Sequence, residues 1–231
     1  MTNMLLASTS TMFGSAFLEY LLPELEIFFE NVDTITFVPY ARPSGASHDS
    51  YTQTAQEAFK KIGKKVVGIH TYDSAIEGLE KAEAIFVGGG NSFVLLNAIY
   101  ENGLLEPLRE RIKAGIPYLG SSAGINLVGK SIATTNDMPI VYPPSFLALH
   151  MVPFNFNAHY LDPDPKSTHK GETRETRIQE FHTYNETPVL GLREGNWIRV
   201  QGNDYTLCGP GTVRLFRKGK AAEETDLIPS E

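Results

Sequence analysis

Short apolar runs alternate with helix-spaced patterns through the first half of the chain. Residues 4–7, 34–39, 65–69, 84–87 and 117–120 read as buried strands, since aliphatic, β-branched and aromatic side chains follow one another with few polar breaks. Between them, residues 13–29 place Phe17, Leu18, Leu21, Leu22 and Leu25 on one side of a helix, with Pro23 set to kink or interrupt it. Residues 48–62, 74–81, 91–100 and 104–114 carry further helical patterns. This β-α-β-α rhythm predicts an α/β fold, with a mostly parallel sheet flanked by helices on both faces.

The second half changes character. Residues 138–157 mix turns and short strands among Pro139, Pro143, Pro144 and Pro153, and residues 161–165 form a loop by composition. Residues 172–184 read as a helix. Residues 189–192, 197–201, 206–208 and 213–216 add short β-strands near the C-terminus, most of them separated by glycine-containing turns. The acidic tail, with Glu223, Glu224 and Glu231, is expected to fray. No repeat, low-complexity tract or linker interrupts the pattern, so a single domain over residues 1–231 is expected.

Composition narrows the function classes. A chain of 231 residues can bury one substantial core. A net charge of -7 argues against a broad nucleic-acid surface, though not against a local basic pocket for an acidic substrate. The apolar stretch at the N-terminus is too short for a signal core, and no run reaches the roughly 18 apolar residues of a membrane span. Cys208 is the only cysteine, which excludes an internal disulfide and a cysteine-rich zinc site. Together these predict a cytoplasmic protein without nucleic-acid or membrane partners. No H-E-x-x-H or similar ligand spacing is present, and no metal or other cofactor is expected.

The sharpest chemical signal is Gly120-Ser121-Ser122-Ala123-Gly124, a G-x-S-x-G pattern between a predicted strand and an apolar run, residues 125–128, able to start a helix. That context suits a nucleophile elbow, in which a tight turn lifts the Ser122 hydroxyl clear of the sheet. The Ala123 amide would then stand at a helix start, where it can stabilise an oxyanion. A second strand-turn-helix carries Gly88-Gly89-Gly90-Asn91, and parallel strands would bring this turn to the same sheet edge. Lacking a G-x-G-x-x-G pattern or a P-loop lysine, it fits the second half of an oxyanion hole better than a phosphate cradle. Gly89 and Gly90 are the candidate donors.

A serine nucleophile needs a base and a carboxylate to orient it. The six histidines are His48, His70, His150, His159, His169 and His182. His150 lies in an apolar run suited to a core residue, and His70 ends a strand. His159, at a strand end before a proline-rich loop, is favoured by position. Asp137 and Glu194 are the two carboxylate candidates. Either could orient the histidine, leaving the other to bind a free substrate amine.

Several stretches resemble peptidase E, the aspartyl dipeptidase family: residues 87–91, the elbow, Thr134-Thr135-Asn136-Asp137-Met138-Pro139-Ile140, His159, His169-Lys170-Gly171-Glu172-Thr173-Arg174, and Glu194-Gly195-Asn196-Trp197. They follow the family's order through most of the chain. Ser121 replaces a larger aromatic residue often seen before the nucleophile, and Asn157-Ala158-His159 replaces a proline-containing version. The resemblance implies a class I glutamine amidotransferase-like fold with serine where relatives of that fold carry cysteine. It also implies a serine peptidase acting on small peptides with a free N-terminal aspartate. It places the nucleophile on Ser122 and the base on His159, and leaves Asp137 and Glu194 both open as the third member. Arg174 and Asn91 are the substrate-binding candidates, Arg174 because a guanidinium can hold an aspartate carboxylate bidentately. A homodimer is an expectation left open. Two alternatives accompany this reading: a cyanophycinase-like or esterase-type serine hydrolase on the same scaffold, and a non-catalytic amidotransferase-like binding protein.

Overall fold

Alternation along the first strand builds both layers of the core. The computed structural model describes residues 1–166, 168 and 170–230. In β1 (Asn3–Ala7), Met4 and Leu6 turn to one face and Leu5 and Ala7 to the other, and all four are buried. Met4 and Leu6 join Ile85 and Val87 of β4 (Ala84–Val87) and Tyr118 of β5 (Tyr118–Ser121). That layer is covered by α4 (Ser92–Glu101) and α5 (Leu105–Lys113) through Leu96, Ile99, Leu108 and Ile112, and Leu79 of α3 (Ala75–Glu80) belongs to it. Leu5 and Ala7 join Phe86, Leu119, and Ile35 and Phe37 of β2 (Thr34–Val38), under Leu25 of α1 (Leu22–Phe28) and Tyr51 and Phe59 of α2 (His48–Lys60). Burial on both faces is why these strands read as continuous apolar runs.

With β3 (Lys65–Gly68), β8 (Trp197–Gln201) and β9 (Asp204–Cys208), the main sheet runs β3-β2-β4-β5-β1-β8-β9. Its first five strands are mutually parallel, and β8 and β9 continue it antiparallel. A second sheet runs β11-β10-β7-β6, from β6 (Asn155–Ala158), β7 (Val189–Leu192), β10 (Val213–Phe216) and β11 (Glu223–Thr225). Its Phe156, Leu190, Leu192 and Leu215 extend the first core layer. The chain therefore has the mostly parallel, helix-flanked α/β architecture, with the late strands split between the two sheets.

Four local expectations are corrected. The helix predicted from residue 13 is confined to α1 and a preceding 3-10 turn, Glu19–Leu21. Leu18 adopts φ 57°, which no continuing helix permits. Pro23 sits in the first turn of α1, where its missing amide costs nothing, so it helps to start the helix rather than kink it. His150 is exposed, not a core residue. In the acidic tail, Glu223 and Glu224 lie in β11 instead of fraying, where Glu224 pairs with Arg193 at 2.7 Å and with Arg214 at 3.5 Å, while Glu231 lies outside the described residues. Among the described residues no helix is long and apolar enough to cross a membrane.

Arg193 also donates to both oxygens of Asp162, at 2.9 and 2.8 Å. Its hydrogen bonds hold the carboxyls of Asp162 and Glu224 below their ordinary 3.8 and 4.5. A carboxyl lowered on folding stabilises above its unfolded value, and that stabilisation is lost as pH falls through the lowered one. Arg193→Ala should cost at most about 1 kcal/mol per pair near neutrality, since both carboxylates are solvent-accessible. The deficit should shrink as pH falls below 4, measured by urea unfolding across that range.

Candidate active site

The elbow is built by absent side chains. A Cβ on Gly120 would lie 2.7 Å from the Gly124 carbonyl oxygen, and one on Gly124 would lie 2.4 Å from the Val87 carbonyl oxygen. Only glycine at both places lets the turn fold back onto β4. Ser122 takes φ 53° and ψ -110°, while its amide donates to the Ala7 carbonyl at 3.0 Å. The strained turn leads into α6 (Ala123–Asn126), a single short turn rather than the longer helix suggested by residues 125–128.

Parallel pairing of β4, β5 and β1 brings three strand ends to one edge, with Val87 opposite Gly120 and Ala7 opposite Ser121. The Gly88–Gly90 turn thereby abuts the elbow. A Cβ on Gly89 would sit 3.0 Å from Ser122 Cβ and 3.6 Å from its Oγ. Gly90 has φ 145°, and its α-carbon packs on the Ala41 carbonyl. Among the described residues, the amides of Gly89, Gly90 and Ala123 donate to no acceptor. They remain available to an anion beside Ser122.

The imidazole arrives from the second sheet. His159 follows β6 directly, and Ala158 pairs with Leu192 at the end of β7. The turn after β7 crosses back to the main sheet, where Trp197 pairs with Ala7. Glu194 lies on this crossing. His159 Nε2 lies 2.8 Å from Ser122 Oγ, and His159 Nδ1 lies 2.6 Å from Glu194 Oε1. With Glu194 accepting from Nδ1–H, Nε2 is the lone-pair nitrogen facing the hydroxyl. The set is open to solvent: the His159 and Glu194 side chains are 36% and 44% exposed. The three groups have the geometry for acyl transfer through a serine.

A model of peptidase family S51 matches residues 4–208, a span containing all three groups. The chain belongs to peptidase family S51. It is 50% identical over 222 residues to the peptidase E of Streptomyces coelicolor, covering 96% of this chain and 90% of that protein. It is 51% identical over 225 residues to the "Probable alpha-aspartyl dipeptidase" of Drosophila melanogaster, covering 96% and 92%. It shares its fold with a solved peptidase from an acI-B1 actinobacterium, at a TM-score of 0.69 and 14% identity over 97% of this chain and 93% of that one.

Other candidates take different places in this S51 chain. Asp137 does not touch His159. Its Oδ2 accepts from the Ser92 amide and the Thr135 hydroxyl, each at 2.8 Å, which fixes the start of α4. Asn91 caps the same helix through the Phe93 and Val94 amides and donates to the Met138 carbonyl at 2.9 Å, so its side chain serves structure. Arg174 opens α7 (Arg174–Tyr184) and donates to the Ala158 carbonyl at 3.1 Å. Burial and the neighbouring Arg177 lower its pKa, while Glu194 opposes the shift. Among the described residues no carboxylate pairs with it. His70 contacts Asp49, and His182 is buried against the Thr187 carbonyl. His169 lies outside the described residues. Among the described residues no group of three or more His, Cys, Asp or Glu could hold a metal ion.

Sequence reading missed Ser8 and the supporting role of Asn136. Ser8 is buried; its hydroxyl donates to the Leu192 carbonyl at 2.6 Å and accepts the His159 amide at 3.0 Å. Asn136 donates to the Ala158 carbonyl at 2.8 Å. For Ser8, the available signal was a polar residue directly after an apolar strand. The elbow yields a stability prediction. Gly124→Ala forces a methyl against backbone and should cost about 1–3 kcal/mol, read as a lowered denaturation midpoint.

Proposed function

We propose that this chain, acting as a single domain over residues 1–231, is a serine-type dipeptidase. It hydrolyses dipeptides and small peptides with a free N-terminal aspartate through an acyl-enzyme on Ser122. The observation that carries this reading is the continuous line Ser122 Oγ–His159 Nε2, His159 Nδ1–Glu194 Oε1, at 2.8 and 2.6 Å. Glu194, rather than Asp137, is then the third member. His159 accepts the hydroxyl proton as Oγ attacks the scissile carbonyl, and Glu194 stabilises the resulting imidazolium. The amides of Ala123 and of Gly89 or Gly90 receive the oxyanion. His159 next protonates the leaving amine. It then activates a water that cleaves the acyl-enzyme, and the serine proton returns.

Arg174 supplies aspartate selectivity. It is half-buried, it sits one residue from the base through the Ala158 carbonyl, and most of its donors remain for a carboxylate. The names of the two relatives, peptidase E and alpha-aspartyl dipeptidase, support the same substrate class. A cytoplasmic setting belongs to this reading and rests on the lone, unpaired Cys208.

Hydrolysis of Asp-Leu, with N-acetyl-Asp-Leu left intact, is the expected activity; equal cleavage of both would remove the free-terminus requirement. Ser122→Ala should abolish turnover, and Glu194→Gln should lower kcat by up to about 10⁴-fold, the scale seen when such a carboxylate is neutralised. Arg174→Ala should impair Asp-X cleavage far more than hydrolysis of a neutral acyl ester, as measured by kcat/KM on each. Equal losses would assign Arg174 to holding the Ala158 carbonyl alone.

A further inference from the structure

We infer that Tyr51 is a positioning residue for the oxyanion hole, orienting the peptide unit between Gly89 and Gly90 so that the Gly90 amide faces the reaction. The inference rests on the serine-hydrolase reading above.

Three consecutive glycines follow β4, and none has a side chain to oppose rotation of a peptide plane. The turn is nevertheless tied at both ends. The Gly88 amide donates to the Val38 carbonyl at 3.2 Å, and the Asn91 amide donates to the Ala41 carbonyl at 2.7 Å. Neither bond involves the peptide linking Gly89 to Gly90. That peptide is held by the Tyr51 hydroxyl, which donates to the Gly89 carbonyl at 3.1 Å. In a trans peptide the carbonyl and the following amide point in opposite directions. Holding the Gly89 oxygen toward α2 therefore sends the Gly90 N–H away from α2. Rotating the peptide by half a turn would break the bond to the Gly89 oxygen, and the phenol would have to turn its own proton away to accept the N–H instead.

Tyr51 is built for a fixed aim. It is 1% exposed, with Phe37 and Phe17 edge-on to its ring at 4.9 and 6.1 Å. The Arg42 guanidinium lies 3.9 Å from the ring centroid. Burial raises the phenol pKa, keeping the hydroxyl protonated and a donor. The α-carbon of Gly89 packs against Ser122, so a change in this turn is felt at the nucleophile.

The decisive variant is Tyr51→Phe, which keeps the ring and removes the donor. It should lower kcat for Asp-Leu about tenfold, the scale of one hydrogen bond. A boronic-acid analogue of the aspartyl group, whose tetrahedral adduct places an oxygen in the oxyanion hole, should weaken by a similar factor. Binding of intact Asp-Leu to Ser122→Ala should be unchanged when Tyr51→Phe is added, because the ground state makes no such demand. para-Aminophenylalanine at residue 51 restores a donor and should recover most of the rate and analogue affinity. Should Tyr51→Phe fold poorly, this restored-donor protein compared with para-methylphenylalanine at residue 51 makes the same test. Unchanged analogue affinity in a folded donor-less variant, or equal weakening of Asp-Leu and the analogue, would overturn the inference. Turnover surviving in Ser122→Ala would instead overturn the underlying reading.

Discussion

The peptide between Ala158 and His159 is the joint on which the site depends. Its carbonyl receives Asn136 and Arg174, and its amide donates to Ser8. Ser8 itself directly follows β1 of the main sheet and donates to Leu192 at the end of β7. One buried hydroxyl thus ties the strand beside Ser122 to both strands that lead to His159 and Glu194. A serine-histidine hydrogen bond tolerates only a few tenths of an ångström of drift. Two separate sheets can hold that tolerance only if their edges are fastened where they meet.

Backbone strain is concentrated at the same place. Among the described residues, four that are not glycine have positive φ, and Ser122 and His159 are two of them. Each left-handed conformation costs about 1–2 kcal/mol, so packing and hydrogen bonds must hold it. For Ser122 the restraint is the Ala7 carbonyl and the pair of bare glycines around the elbow. For His159 it is the pinned peptide. In both cases the unusual backbone turns the residue at the end of a buried strand toward the shared edge where Ser122 Oγ and His159 Nε2 meet.

The acidic residues divide the remaining work. Glu194 occupies an exposed crossing between the sheets, steadied at its neighbour Arg193 by Asp162, Glu224 and the Thr212 carbonyl. Asp137 serves the start of α4, through a polar cluster in which Asn126 of the elbow helix donates to Ser92 and Thr135. The glycine turn and the elbow are thereby braced against each other from below. A carboxylate two residues from a half-buried hydroxyl and one across a sheet junction look alike in sequence, yet only the second reaches the imidazole.

Local pattern was enough for the parallel strands, the helices between them and the glycine-flanked serine, because each follows from side-chain periodicity or from the conformations glycine alone allows. Residues 84–87 and 117–120 were legible as strands, and Ser122 as the tip of a turn, for that reason. Which histidine and carboxylate belong to the serine was a matter of long-range register: Ala158 against Leu192, and Trp197 against Ala7. The extent of α1, the paired tail and the tyrosine behind the glycine turn were equally hidden. Each is set by contacts between segments far apart in the chain, and periodicity along one segment holds no record of what lies across from it.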